Sequence, residues 1–471
     1  MLHSDPLEAW QPSLDDPWDR AKAAHLAART GFGARPDEVE RLFALGSDAA
    51  VDTCVDFPES EPELEQRMRE LGSPLYEYPP HGESGEPQVG DARAWWINRM
   101  CATRHPLREK LTLFWHHHFA CQENDALPLA LLLEQNRLFR RLAGGDFGEL
   151  LRAVARDPAM LTFLDGRINV RERPNENWAR ELMELFTLGL DQYTQRDVVE
   201  VARVFTGWSI TGGRQAVFEF HPELHDPEEK LVLGRGVAGR AGMDGTAEGD
   251  EVLALLLEQP CAAPFLARKL LRWFLEDEPA PQLCAAAGAC LVEVRWSVRE
   301  FLRRLLRSRV FHANEQRGQL FKTPVGFVVS ALRGLNVQNP QLLAPGARLR
   351  ELGMELFHPP SVAGWNLGPA WIHAGSVLLR ARFAERLANL PHSERAVTGA
   401  SAIDLEQLAC GANDAAGLVR SLGLRLVGRP LADERVCELA ARIDSRGATD
   451  RRTRTRTAIE LVLAAPEFAL E

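Results

Sequence analysis

A chain of 471 residues, 45% hydrophobic and with a net charge of −11, can bury a large core, and without a long Lys/Arg run it argues against a nucleic-acid-binding surface. No apolar run approaches the roughly 20 residues that span a bilayer. The start, Met-Leu-His-Ser-Asp-Pro-Leu-Glu-Ala-Trp, lacks the basic and apolar regions of a secretory signal, so a cytoplasmic location is expected.

Residues 1–20 read as an N-terminal arm, 21–390 as a helical core, and 391–471 as a C-terminal helical portion of the same domain. Ala21 to Arg29 is apolar at helical spacing, Thr30-Gly31-Phe32-Gly33 breaks it, and Pro36 opens the next helix in its first turn. From Glu59 to Gly90 the chain is rich in Pro, Glu and Gly, as a surface excursion would be. Helices are expected near 91–101, 107–119, 127–142, 148–157 and 160–164. The one from Leu107 carries Trp115-His116-His117-His118-Phe119.

Pro174 to Gly189 predicts a helix with two faces. At about 100° per residue, Asn177, Arg180, Glu181 and Glu184 share one sector, and Trp178, Leu182, Leu185 and Phe186 fill the next. Asn175 supplies an N-cap and Gly189 a stop. After the 195–208 helix, residues 209–249 change texture, with short β-like alternation and many Gly, and predict one small hairpin in a long loop. Helical periodicity then returns to the end of the chain, apart from a Pro/Gly/Trp-rich crossing from Leu356 to Trp371. The fold expected is mainly α, a large multi-helical domain with a small β-hairpin and long-loop insertion.

Eight cysteines without Cys-x-x-Cys spacing exclude a zinc knuckle and fit a reducing compartment. Only Lys22, Lys110, Lys230, Lys269 and Lys322 are lysines against 50 arginines (55 minus 5), so each marks a place where a compact ammonium is wanted rather than a planar fork. There is no dinucleotide fingerprint, Walker A loop or Gly-x-Ser-x-Gly elbow, which disfavours nucleotide-dependent and serine-hydrolase chemistry.

Eight stretches, in order, carry a resemblance. They are Arg29-Thr30-Gly31-Phe32-Gly33, Leu111 to Ala120, Pro174 to Gly189, Ala202 to Trp208, His225-Asp226, Leu266 to Leu270, Phe321 to Val325, and Pro359-Pro360-Ser361-Val362-Ala363-Gly364-Trp365. Together they resemble the bacterial domain-of-unknown-function 1800 family. The resemblance implies no assigned activity. It implies export for many relatives, and a phosphatase-like protein encoded nearby as a partner. Gly326, Glu228 and His373 stand where the family pattern has Glu, Gly and Asn.

The richest ligand set combines Glu181 and Glu184 with His116, His118 and His225-Asp226. Carboxylate plus imidazole is ligand chemistry for Zn, Mn or Fe, so one reading is a metal held by His116, His118, Glu181 and Glu184 in a hydrolase or oxidoreductase. His116 and His118 diverge by about 200° on a regular helix and converge only if the helix ends there. A second reading is a buried salt-bridge lattice, with Arg180 answering Glu184 and Arg203 or Lys269 answering Glu181. A third is metal-free acid–base chemistry, with Glu181 or Glu184 as base, a His as acid and Arg180 binding an anion. His225, Asp226 and Lys230 sit on a stretch with little apparent core value, which favours function over packing. Lys269 and Lys322 read as capping or snorkelling residues, and Trp365 and Trp371 as core aromatics or an aromatic sugar platform. The non-enzymatic alternative is a binding or assembly protein that presents the 209–249 loop to a partner.

Overall fold

The computed structural model describes residues 5–70, 88–337, 340–343, 345–391, 402–447 and 450–471. Among them are 23 α-helices and two two-stranded antiparallel sheets, so the chain is mainly α. No helix of the described residues is long and apolar enough to cross a membrane. The Glu59–Gly90 stretch begins with a helix, Pro62–Glu70, and residues 71–87 of it lie outside the described set, as do 392–401 near the expected boundary at 391. The arm is not free: Trp10 is buried, and Ala9 bridges to Ser308. All eight cysteines are free.

Everything is arranged around helix Pro106–His118, in which every residue from Leu107 onward is buried. A helix buried all round must have its polar groups answered internally. Glu109, fully buried, takes two bonds from Arg140 (2.7 and 2.9 Å) and one from the Trp96 indole (2.9 Å), with Arg99 at 3.4 Å. Burial works against the Glu109 charge, yet the Arg140 and Arg99 guanidiniums win and hold its carboxyl at about 2. Lys110, one residue on, pairs with Glu471 at 2.9 Å. The Arg29 guanidinium, in the first of the resembling stretches, donates to the carbonyls of Leu275 and Gln316, both at 2.6 Å.

Helix pairs build the rest of the fold. Ala262–Phe274 packs on Pro281–Glu293, and Ala374–Ala388 on Arg451–Ala464, which also meets Ala415–Val427. Phe32 is buried between Gly31 and Gly33, and Pro36 is the first residue of its helix.

The 209–249 stretch forms two hairpins where one was expected. Trp208–Thr211 pairs with Val217–Phe220, and Lys230–Val232 pairs with Arg235–Val237. The second closes on Leu233-Gly234, both at positive φ, the geometry of a two-residue type I′ turn. It escapes a sequence reading because Leu stands where such turns favour Asn or Asp. The Leu233 N–H donating to Asp197 Oδ1 at 2.7 Å helps hold it there.

Candidate functional site

Helix Glu176–Glu181 starts on Asn175, whose side chain accepts from the Asn177 N–H at 2.9 Å. It does not continue as an α-helix. Leu182–Thr187 is a π-helix, with the Leu188 N–H reaching back five residues to Met183 O at 2.8 Å. The Thr187 hydroxyl closes on Leu182 O at 2.6 Å. The extra residue in the turn changes the phase of the side chains beyond Leu182, yet Glu184 still lies close enough to Glu181 for its charge to be felt there. Gly189, at φ +93°, stops the segment, and a Cβ there would lie 3.0 Å from the Phe265 ring.

On the open face, Glu181, Glu184, Arg180 and Tyr193 are all half-buried. The Tyr193 hydroxyl donates to Glu184 Oε2 at 2.5 Å. Burial first, and then Glu184, push the Tyr193 phenol up to about 12. Glu181 makes no side-chain hydrogen bond among the described residues. Its carboxyl is raised by burial and by the neighbouring Glu184 charge, with Arg180 opposing. Arg180 is tied back to Glu176 (3.1 Å) and Gln195 (2.9 Å) rather than to Glu184.

On the inner side, the Lys269 ammonium from helix Ala262–Phe274 donates to Leu185 O at 2.6 Å and meets His118 Nδ1 at 3.1 Å. Leu185 O is free for this because the segment ends there with no further N–H to offer. The His118 ring packs among Phe114, Phe119, Phe147 and Phe186. Burial, reinforced by Lys269, keeps it neutral, and an Nδ1 that accepts from Lys269 leaves the proton on Nε2.

The metal-ligand quartet is not brought together. His116 Nε2 accepts from the Phe357 N–H and His117 Nδ1 from the Trp365 N–H, both at 3.1 Å, so these two rings brace the 356–371 crossing while His118 faces Lys269. Burial takes His116 and His117 down to about 3. Although the helix does end at His118, the rings diverge as regular geometry dictates. Among the described residues no group of three or more His, Cys, Asp or Glu is arranged to hold a metal ion. The lattice partners differ as well. Arg203 bonds Asp226 (2.7 Å) and Glu200 (2.8 Å), leaving Glu181 without either nominated cation. Trp365 and Trp371 are core aromatics, too buried for a sugar platform.

The largest correction concerns His225, Asp226 and Lys230. His225 and Lys230 are each 1% exposed: His225 lies on the connection between the two hairpins and Lys230 opens the second hairpin, yet both are buried in the core of the unit. Lys230 donates to the fully buried Glu248 at 2.5 Å, and His225 Nε2 faces the other oxygen of Glu248 at 3.3 Å. His225 Nδ1 sits 2.9 Å from Thr206 O. Burial raises the cost of the Glu248 and Asp226 charges, but His225 and Lys230 hold the first, and Arg203 the second, below the usual carboxylate range. The unit closes tightly: a Cβ at Gly245 would lie 2.7 Å from the His225 ring, and one at Gly249 2.4 Å from Trp208.

A narrow cleft elsewhere gathers Lys110, Arg272, Asp277, Phe321, Thr323 and Glu471, with Phe321 and Thr323 from one resembling stretch and Lys110 and Arg272 beside two others. Its room, enough for about two waters, suits solvent rather than a substrate.

A family model described as "Protein of unknown function (DUF1800)" matches residues 25–470, nearly the whole chain. The chain belongs to this family. No curated protein and no solved structure matches it. In this DUF1800 protein the sequence reading missed Tyr193 and the Lys269–His118 contact. The signal for the second was present in the scarcity of lysine.

Proposed function

We propose that the protein is a hydrolytic enzyme using metal-free acid–base chemistry on the open face of the π segment. Glu181 holds and transfers the proton, Glu184 with Tyr193 stabilises the opposite charge, and Arg180 orients an anionic group of the substrate. One observation carries the reading: two carboxyl groups three residues apart lie in unlike environments. Glu181 is raised by burial and left without a partner, while Glu184 accepts a 2.5 Å bond from Tyr193. A carboxyl group held partly out of water and without a partner is the kind of group on which acid–base assignments rest. The metal-dependent version is less well supported, because His116 and His118 each face a different neighbourhood from the one that Glu181 and Glu184 share.

The test is turnover of chromogenic ester, amide, phosphate and glycoside substrates by the purified chain, with and without chelator. Activity that survives chelation, and that Glu181→Gln abolishes while the melting curve is kept, supports the assignment. Activity that chelation removes, or that Glu181→Gln leaves intact, overturns it.

A further inference from the structure

We propose that the Lys269 amine is a nucleophile that captures an aldehyde or ketone as an imine at the end of the π segment. This stands whether or not Glu181 works as an acid or base.

The chain has five lysines, and four are at most 6% exposed: Lys22, Lys110, Lys230 and Lys322. Three of those pair with a carboxylate, namely Asp16, Glu471 and Glu248. The fourth, Lys322, donates to Phe468 O and lies over the Phe468 ring. Lys269 differs from all of them in being only partly buried as a residue. Like Lys322, it has no carboxylate within ion-pair distance among the described residues. Its neighbours are Leu185 O, His118 Nδ1, the Phe265 ring at 4.8 Å from Nζ, and Arg272 one turn further along its own helix.

An ammonium in that setting meets neutral acceptors and a second cation, with nothing to balance its charge. Burial and Arg272 bring the group down to about 7, so a large fraction is neutral amine at physiological pH. Both hydrogen-bond neighbours are acceptors. A neutral amine therefore gives its two hydrogens to Leu185 O and His118 Nδ1, and its lone pair is left without a donor to tie it up. His118 keeps the accepting role because its ring is held neutral by the aromatic shell. These are the conditions under which a lysine attacks a carbonyl carbon.

The step balances without a redox partner. The nitrogen lone pair forms the C–N bond while the carbonyl π pair moves to oxygen. The nitrogen then gives up its protons, the oxygen leaves as water, and C=N remains, so that amine plus carbonyl yields imine plus water.

The experiment uses the full chain at pH 7.5 with propanal, trapped by borohydride and mapped by peptide mass. The result expected is an adduct on Lys269 formed faster than on Lys22, Lys110, Lys230 or Lys322, by on the order of ten-fold. Its rate should rise to half-maximum near neutral pH rather than in the ordinary lysine range. Because the wild-type chain is the reagent, a folding failure in a variant cannot obscure the answer. Labelling of Lys269 no faster than of the four buried lysines, or only after denaturation, overturns the proposal.

Discussion

Two regions of this molecule concentrate charge, and they do so in opposite ways. In the two-hairpin unit Lys230, Glu248 and His225 are enclosed with Asp226 and Arg203 partly buried at their edge, and Lys230–Glu248 and Arg203–Asp226 set opposite charges against each other. Along the π segment, among the described residues, Glu181 has no side-chain hydrogen-bond partner and Lys269 no carboxylate, and both residues are only partly buried. A closed and fully answered network fixes how an excursion docks onto its neighbours. A half-open group with an unmet charge is free to exchange a proton or bind a ligand. Residue types alone do not separate the two cases. His225-Asp226 looks as functional on paper as Glu181 and Glu184, and burial reverses the ranking.

The comparison breaks first if the closed network proves dispensable. Lys230→Met leaves Glu248 buried with only His225 and the Arg240 N–H to answer it, and a loss of about 3–5 kcal/mol in denaturant melts is expected. Gly207→Ala should follow with about 1–3 kcal/mol. Its φ is +79°, and a Cβ would lie 2.5 Å from His221 O. On the π segment the effects shrink. Tyr193→Phe removes one bond to Glu184 and should cost about 0.5–1.5 kcal/mol. Glu181→Gln should change stability by no more than about 0.5 kcal/mol and, unlike the others, in the stabilising direction at neutral pH.

The sign of that last effect follows from linkage. Glu248 and Asp226 have folded values below their unfolded ones, so the stability they contribute is complete above the unfolded carboxylate range and is lost as pH falls through the folded values. Glu181 is shifted the other way: the folded chain holds its proton more tightly, and its contribution diminishes as pH rises from 4.5. Stability curves from pH 3 to 7 should therefore lose part of their acid limb in Lys230→Met and gain slightly at the neutral end in Glu181→Gln.

Local signals made the helices legible. Proline at a first turn, Asn175 as a cap and the apolar spacing of the 107–119 stretch all fall where the backbone places them, within a residue or two. The π turn was not legible, because inserting one residue into a helical turn leaves composition and capping unchanged. Nor was the Lys269–His118 contact, which joins residues 151 positions apart. The two-hairpin unit was misread for a different reason. Gly245 and Gly249 look like loop residues in sequence and Gly207 like the end of a helix, yet each is small because an aromatic ring, an imidazole or a backbone carbonyl occupies the space a side chain would need. Glycine density signalled close packing there, and the histidine it enclosed became structural.

The account rests on Glu181 and Glu184 being unlike carboxyl groups, and side-chain carbon NMR of the carboxyl resonances across pH tests this without a substrate. The expected result is a Glu181 midpoint above 4.5 that moves down when Glu184→Gln removes the neighbouring charge. A Glu181 midpoint at or below 4.5, unmoved by that substitution, would contradict it.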